Sequence, residues 1–558
     1  MTLPINHLES CQPRTDLAPS RLISFTTGSP TFMFRSAIVT TRGWILPTLM
    51  TCGVGVMIGL PWLYQACYPI GLLGYAWLIF RAARMAGAPA LLHSFVSGSV
   101  ALAIAFHWAS QSISDTTNLG NVLSWVVFGC LVFWEAIPFG LLGWAASCCQ
   151  RWGPRWIWAL VPLWIAFTTH WPKVFAWETA HAFLGFPAIL QLAELAGTAG
   201  VTAAAMIAAV AVVRWGLEPS RLSAKVEASL GGSVVVVACL WGTVTLEHWR
   251  ERIASAEQLR VGVVQVDPSY VESLNKMQVM SDAMEGKVDL LLWPESTLGH
   301  YHVGLDHFRD TDHTMDNAEM PNPAVDPYPR IYCDLLAGGK TYENGGKHCG
   351  PYKNTAFLMD CHYQIVDRYV KRSLMPIGEY MPFEAWFPVM REWAALDKEI
   401  VRGTDDRPLR LSTGTKVGVL VCYEDMVAAN ASSSTREGAD CLVALVNGSA
   451  FTDSDTLKQH LQLAQLRTIE NRRSLVRCAA TGVSCLIQPD GTISQQLPLN
   501  TDQSMIVSVP LESKLTLYTR HGPWLSRGCT VFAMALIVVS CLKSPMVMRT
   551  LSRQPAAD

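Results

Sequence analysis

Three short stretches of this sequence carry side chains suited to acyl chemistry. In Leu290-Leu291-Leu292-Trp293-Pro294-Glu295-Ser296 an apolar run ends in a carboxylate. In Tyr369-Val370-Lys371-Arg372-Ser373-Leu374-Met375-Pro376-Ile377-Gly378-Glu379-Tyr380 a strand-like run ends in a lysine and leads to a Gly-Glu-Tyr turn. In Val417-Gly418-Val419-Leu420-Val421-Cys422-Tyr423-Glu424 a valine-rich run ends in a cysteine. Each run reads as a buried strand, so each reactive group would stand at a strand end. A thiol attacks a carbonyl only as its thiolate. A carboxylate partly desolvated beside an apolar strand gains proton affinity and can serve as the base, a contribution of about 10²–10⁴-fold. A fixed lysine charge, with the backbone N–H after the cysteine, can stabilise the oxyanion. Singly, each residue has a blander reading: Cys422 as a small core residue, Lys371-Arg372 as a surface pair, Glu295 as a solvated turn. Together they suggest Glu295 as base, Lys371 as oxyanion partner and Cys422 as nucleophile.

These groups must be positioned by a chain of 558 residues, long enough for at least two domains. Hydrophobic residues make up 50% and charged residues 16%, which is too apolar for an ordinary soluble protein and implies membrane spans. A net charge of −2 gives no reason to invoke nucleic acid. The 20 tryptophans suit interfacial anchoring. The 16 cysteines are scattered without paired Cys-x-x-Cys sets, so no zinc site is called for.

Residues 1–42 read as a cytoplasmic tail of little fixed structure. Residues 43–248 read as a transmembrane domain of about seven helices, near 44–60, 62–80, 90–110, 121–147, 156–169, 193–213 and 230–246. With the N-terminus inside, Arg81, Arg84, Arg151, Arg155, Arg214, Arg221 and Lys225 all fall on the cytoplasmic side, as the positive-inside rule requires. Residues 250–523 alternate short β-like runs with helical stretches, the pattern of one α/β domain. A further apolar helix is expected over 524–543, and a cytoplasmic tail over 544–558.

Glu295, Lys371 and Cys422, in that order, resemble the Glu-Lys-Cys triad of the nitrilase superfamily. The wording Trp-Pro-Glu-Ser, Lys-Arg-x-Leu-x-Pro-x-Gly-Glu-Tyr-x-Pro-Phe and Cys-Tyr-Glu is similar to apolipoprotein N-acyltransferases, the membrane branch of that superfamily. The resemblance implies a multi-pass α-helical membrane domain joined to a nitrilase-like αββα sandwich. It implies the bacterial inner membrane, with the catalytic domain on the periplasmic side. The implied reaction moves an acyl chain from a phospholipid donor, through a cysteine thioester, to the α-amine of a diacylglyceryl apolipoprotein. The alternative is a membrane-anchored nitrilase-type amidase. No cofactor or metal is implied, and nothing calls for more than a monomer.

By the same resemblance Glu379 assists the triad, and Tyr423 and Glu424 occupy positions tied to activity; Glu424 reads equally as a carboxylate favoured at a helix start. The sequence departs from the family at Ala450 and after Gln265, where tryptophans are usual. Three other features are set aside. The His300, His302, His307 and His313 insert reads as a solvated loop. Gly338-Gly339-Lys340-Thr341 lacks the spacing of a phosphate loop. Cys333, Cys349 and Cys361 leave room for one disulfide. The insert 300–329 and the segment 384–408, with Trp386, Phe387, Met390 and Trp393, are expected to act as lids.

Overall fold

The computed structural model describes residues 30–542 apart from 118, 175, 268–272, 299, 303–306, 310–331, 343–350, 363, 382–383, 387, 389–390, 392–398, 450 and 452–453. Residues up to Met50 form one unit and those from Thr51 a second. In the first, helix Pro30–Leu63 begins inside the tail expected to be irregular. Proline is favoured in a first helical turn, and no glycine or proline follows it before Gly43.

Among the described residues six helices are long and apolar enough to cross a membrane: Ile45–Leu63, Gln65–Ala83, Ala88–Ala105, Asn121–Trp152, Thr198–Leu217 and Leu222–Ser255. The segment expected near 156–169 is a 3-10 turn, Pro154–Ala159, running into a short helix, Leu160–His170. The helix expected at 193–213 is broken at Gly197, whose φ of 66° ends Ala193–Ala196 before Thr198–Leu217 begins. Helix Leu222–Ser255 is longer than expected at 34 residues, about 51 Å at 1.5 Å per residue. It runs without a break to the first strand and is tied there by an ion pair from Arg252 to Glu512.

The bundle has two unlike ends. At one, Arg214 pairs with Glu218 (2.8 Å) and Glu227 (2.7 Å), and Arg155 with Glu227 (3.0 Å). At the other, the carbonyl of Ala105 accepts from Gln459 Nε2 (2.7 Å) and Arg472 pairs with Glu194 (2.6 Å). Gln459 and Arg472 belong to the α/β part of the chain.

That part holds fourteen strands among the described residues: β1 Gln258–Gln265, β2 Leu290–Leu292, β3 His300–His302, β4 His307–Arg309, β5 Asp334–Tyr342, β6 Tyr352–Met359, β7 Ile365–Val370, β8 Leu409–Arg410, β9 Lys416–Val421, β10 Cys441–Val446, β11 Leu475–Ala479, β12 Cys485–Ile487, β13 Ile493–Gln496 and β14 Gln503–Pro510. One sheet runs β14-β1-β2-β5-β3-β4, with β6 on β5 and β7 on β6; the other runs β13-β12-β11-β10-β9-β8. Alternation along each strand sends Val261, Val263, Leu290, Leu292, Leu336 and Leu358 into a core shared with Val417, Val419, Leu442, Ala444 and Val476 of the second sheet. The opposite face of the first sheet, through Leu291, Trp293, Leu335 and Phe357, packs on Met277 of helix Ser273–Asp282. Helices Ala428–Arg436 and Ser454–Asn471 cover the second sheet, so β10 is buried on both faces and reads as an unbroken apolar run. The layers are αββα.

Helix Ser454–Asn471 joins the two halves. Leu461 and Ala464 enter the sandwich core, while Leu463, Leu466 and Ile469 enter the core of the membrane bundle. The insert expected as a solvated loop forms the antiparallel pair β3–β4 on the edge of β5; the rest of it, His313 included, lies outside the described residues. In the second expected lid Trp386 is exposed, and Phe387, Met390 and Trp393 lie outside the described residues.

A Cβ on Gly242 would stand 1.9 Å from the carbonyl oxygen of Ala188, whereas one on Gly232 meets nothing within 4 Å. Backbone cannot swing aside as a side chain can, so Gly242→Leu should destabilise the detergent-solubilised protein by about 1–3 kcal/mol. Gly232→Leu should leave its thermal midpoint unchanged. Equal midpoints for the two variants would refute this packing.

Candidate active site

Glu295 stands just past β2, in a turn laced onto β5: Trp293 N–H donates to the carbonyl of Leu336 (3.0 Å) and Gly338 N–H to that of Pro294 (3.1 Å). A Cβ at Gly338 would lie 2.5 Å from the Cα of Glu295, so the run Gly338-Gly339 serves as strand that lets this turn approach. The Glu295 carboxylate is buried. Its Oε1 accepts from Asn354 Nδ2 of β6 (2.7 Å) and its Oε2 from the backbone N–H of Asn447, just past β10 (2.8 Å).

Lys371 follows β7 and is 1% exposed. Its Nζ lies 2.7 Å from Glu379 Oε1 and 3.8 Å from Glu295 Oε1. Glu379 is held in turn by the N–H of Met375 on its Oε2 (2.7 Å). Burial alone would drive the proton off this lysine, but Glu379 and then Glu295 outweigh it and hold its pKa above the ordinary range.

Cys422 directly follows β9 and takes φ 52°, a left-handed conformation that costs a non-glycine residue of order 1–3 kcal/mol. Ser296 (φ 63°) and Ile377 (φ 70°) share this strain beside Glu295 and Glu379. The Cys422 Sγ lies 3.9 Å from the carbonyl of Asn447, whose own N–H binds Glu295. Burial pushes the Cys422 thiol well above its usual pKa; Glu295 adds to the effect and Lys371 opposes it. The resting group is therefore the thiol. Moving its proton to Glu295 leaves the total charge of the cluster unchanged. Tyr423 is the second residue of the 3-10 turn Cys422–Met426, so its N–H has no acceptor within the turn and is available to an oxyanion.

Glu424 sits behind this cluster and is fully buried. It accepts five hydrogen bonds, from Val421 N, Tyr369 Oη, Arg372 N, Ser373 N and Asn430 Nδ2, at 2.6–3.1 Å. Four come from outside its own turn, so Glu424 clamps the chain after Lys371 to the turn after Cys422. Asp425, also buried, pairs with His460 Nε2 (2.7 Å) and Arg477 Nε (2.8 Å). Burial would raise its carboxyl, but His460 and Arg477 hold it below the usual carboxylate range.

Cys422 opens on a cavity whose empty space, open solvent included, is about 860 Å³. One wall is Phe106, Trp108, Ile113, Val174 and Ala176 of the membrane domain. The other is Met375 to Gly378, Cys422, Tyr423, Met426, Phe451, His460 and Leu463. The lining is almost wholly apolar. Ala450, where the family tryptophan is missing, lies outside the described residues; its neighbour Phe451 lines the cavity.

The structure thus brings Glu295, Lys371, Glu379 and Cys422 into one cluster, sets Tyr423 on the cavity wall, and gives Glu424 a clamping position. Asn354, Asn447, Asp425 and His460 were not singled out from sequence, since nothing local marks an asparagine or histidine as facing a distant carboxylate. Cys333 and Cys361 are free thiols, and Cys349 lies outside the described residues.

Residues 245–514, which hold the sandwich, match the family model described as carbon-nitrogen hydrolase. Residues 53–211 match the model of the apolipoprotein N-acyltransferase N-terminal domain. The chain is 24% identical to an apolipoprotein N-acyltransferase of Geobacter metallireducens over 88% of its own length and 95% of the relative's. To one of Azotobacter vinelandii it is 25% identical, over 89% and 95%. A solved amidase from a Nesterenkonia species is similar at 17% identity and a TM-score of 0.32, covering 49% of this chain and 97% of that one. With both halves matched in order along one chain, the protein belongs to the apolipoprotein N-acyltransferase family.

Lys371→Met removes the cation that lowers the Cys422 pKa, so the thiolate fraction must fall. We expect iodoacetamide alkylation of Cys422, read by peptide mass spectrometry near pH 8, to slow about tenfold, equivalent to about 1.4 kcal/mol against the thiolate; unchanged or faster labelling would contradict the charge balance. Glu424→Ala strands several buried donors, each worth about 1–3 kcal/mol, and should lower the thermal midpoint sharply. A midpoint within about 2 °C of the parent's, on the order expected for a surface change, would show that the clamp is dispensable.

Proposed function

We propose that this protein transfers an acyl chain from a membrane phospholipid to the α-amine of an S-diacylglyceryl cysteine at an apolipoprotein N-terminus. One observation carries the reading: Cys422 opens on an apolar cavity walled jointly by membrane helices and by the sandwich. A chain entering it would come from the membrane side. A soluble amide would find almost no polar partner there.

In the first half-reaction Glu295 takes the Cys422 proton and the thiolate attacks the donor ester carbonyl. Lys371 and the N–H of Tyr423 stabilise the oxyanion. Collapse expels the lysophospholipid alkoxide, which Glu295 protonates, and leaves a thioester. In the second, the amine attacks the thioester, its proton passes by way of Glu295 to Sγ, and the amide departs. Glu379 keeps Lys371 in place throughout. The dry cavity favours the amine over water. We assign the catalytic domain to about residues 250–523 and the membrane domain to about 43–248, with a final span near 524–543. The basic cluster of Arg155, Arg214 and neighbours lies at the bundle end opposite the sandwich. By the positive-inside rule this supports a cytoplasmic basic end and a periplasmic sandwich.

Purified protein incubated with phospholipid should gain one acyl mass on Cys422, and a diacylglyceryl-cysteine peptide should discharge it to an N-acyl product. Free fatty acid with no N-acyl peptide would instead mark a hydrolase. Cys422→Ser should abolish the adduct, and lipoproteins matured normally by that variant would sink the proposal. Ile113→Trp, which fills the cavity, should slow acyl-enzyme formation from long-chain donors at least about tenfold more than from short-chain ones; uniform slowing would mean that the chain lies elsewhere.

A further inference from the structure

The second half-reaction has a proton that the Glu-Lys-Cys cluster does not absorb. An α-amine reaches neutral water largely as R–NH3⁺. To become an amide it must lose two protons. One travels by Glu295 to the departing Sγ, which restores the thiol. The other must leave before attack, because the ammonium has no lone pair, and it must leave inside an almost wholly apolar cavity.

His460 stands on the wall of that cavity with Cys422 and Tyr423. Its Nε2 is 2.7 Å from Asp425 Oδ1, and Asp425 is anchored on its other oxygen by Arg477 Nε at 2.8 Å. A carboxylate accepts, so Nε2 carries the hydrogen, and in the neutral ring the lone pair is then on Nδ1. The imidazole is only 10% exposed and its surroundings open on the cavity. We propose that His460, oriented by Asp425, is the base that takes the first proton from the acceptor's ammonium. R–NH3⁺ gives its proton to Nδ1, the free amine attacks the Cys422 thioester, Glu295 carries the second proton to Sγ, and the imidazolium releases its proton to solvent. The balance is thioester plus ammonium giving amide, thiol and one proton.

The groups facing His460 are few. From the nucleophile turn come Asp425, Cys422 and Tyr423; from β11 comes Arg477, behind Asp425. The opposing membrane-domain wall, with Trp108, Ser112, Ile113 and Val174, puts no titratable or charged side chain on the lining among the described residues; behind it lies the Glu135 carboxylate, which accepts from Val174 N–H (2.6 Å) and whose charge reaches Tyr423. Tyr423 is pushed up to about 12 by burial and stays protonated, so it cannot be this base. Cys422 is acylated at this stage. The other polar lining groups, Ser112, Thr116, Thr456 and Gln459, can accept a hydrogen bond but are not bases.

The inference rests on the acyltransfer reading, and half-reaction kinetics separate the two. Acyl-enzyme formation is followed by mass spectrometry with phospholipid alone. Discharge is followed after adding a diacylglyceryl-cysteine peptide, from pH 6.5 to 9.5. His460→Gln keeps a donor for Asp425 but no base at Nδ1. We expect its ratio of discharge rate to formation rate to fall about 10²-fold at pH 6.5, in the range of general-base contributions, and to recover toward the parent's ratio by pH 9.5, where the amine deprotonates unaided. A ratio equal to the parent's at every pH, or reduced by one factor at every pH, would overturn the role of His460. Absence of any acyl-enzyme in the parent would instead overturn the acyltransfer reading. His460→Asn, which puts an amide near Nδ1 and leaves Asp425 without its partner, should show the same recovery; a deficit in it that persists at pH 9.5 would also count against the base.

Discussion

A lysine ammonium with almost no access to water is the constraint around which this site is built. Taken from water without compensation, such a charge costs several kcal/mol. Lys371 is compensated by Glu379 at 2.7 Å and Glu295 at 3.8 Å. Those carboxylates need partners for their remaining lone pairs, which Asn354, Met375 N and Asn447 N supply. The cluster carries a fixed charge before substrate arrives, and moving the Cys422 proton to Glu295 redistributes that charge without adding to it. A thiol whose pKa is raised by burial can therefore still be activated. Glu295, the base in the proposed reaction, lies within the same low-dielectric pocket, and there the lysine would favour the thiolate and the oxyanion that follows it.

Around this cluster the architecture sets the Cys422 thiol of the α/β part against the membrane helices. Helix Ser454–Asn471 does so by having two apolar sides, one in the sandwich core and one in the bundle core. Gln459 and Trp108 add a hydrogen bond across the seam at 3.1 Å. The cavity is the space left where these surfaces diverge, and Cys422 stands at it because β9 ends there. Strain is concentrated at the same place. Ser296, Ile377 and Cys422 all take positive φ, and the surrounding hydrogen bonds, above all the clamp on Glu424, hold them there.

Local pattern made much of this legible. The valine-rich run before Cys422 and the leucines before Glu295 alternate or bury as strands must, and most of the apolar runs before residue 250 have the length and composition of membrane helices. Boundaries were less legible. The break at Gly197 and the short helix Leu160–His170 depend on contacts with other segments, and the helix beginning at Pro30 competes with a polar composition. Glu424 looked equally like a helix-start carboxylate, because sequence cannot show which distant donors a buried carboxylate will meet. His460 carried no local sign at all.

What the sequence determined by itself was the stock of reactive groups and their placement at strand ends, since periodicity and side-chain chemistry are properties of neighbouring residues. It also determined that the chain divides into an apolar and a polar half, since burial in lipid demands long runs of one kind. Only the tertiary structure decided that Glu295, Lys371 and Cys422, separated by dozens of residues, share one pocket. It alone decided that asparagines from β6 and the end of β10 complete that pocket, and that the pocket opens toward the membrane bundle. Those outcomes depend on strand order and on packing between distant segments, where each group's protonation and reach are set by neighbours that no local stretch of sequence contains.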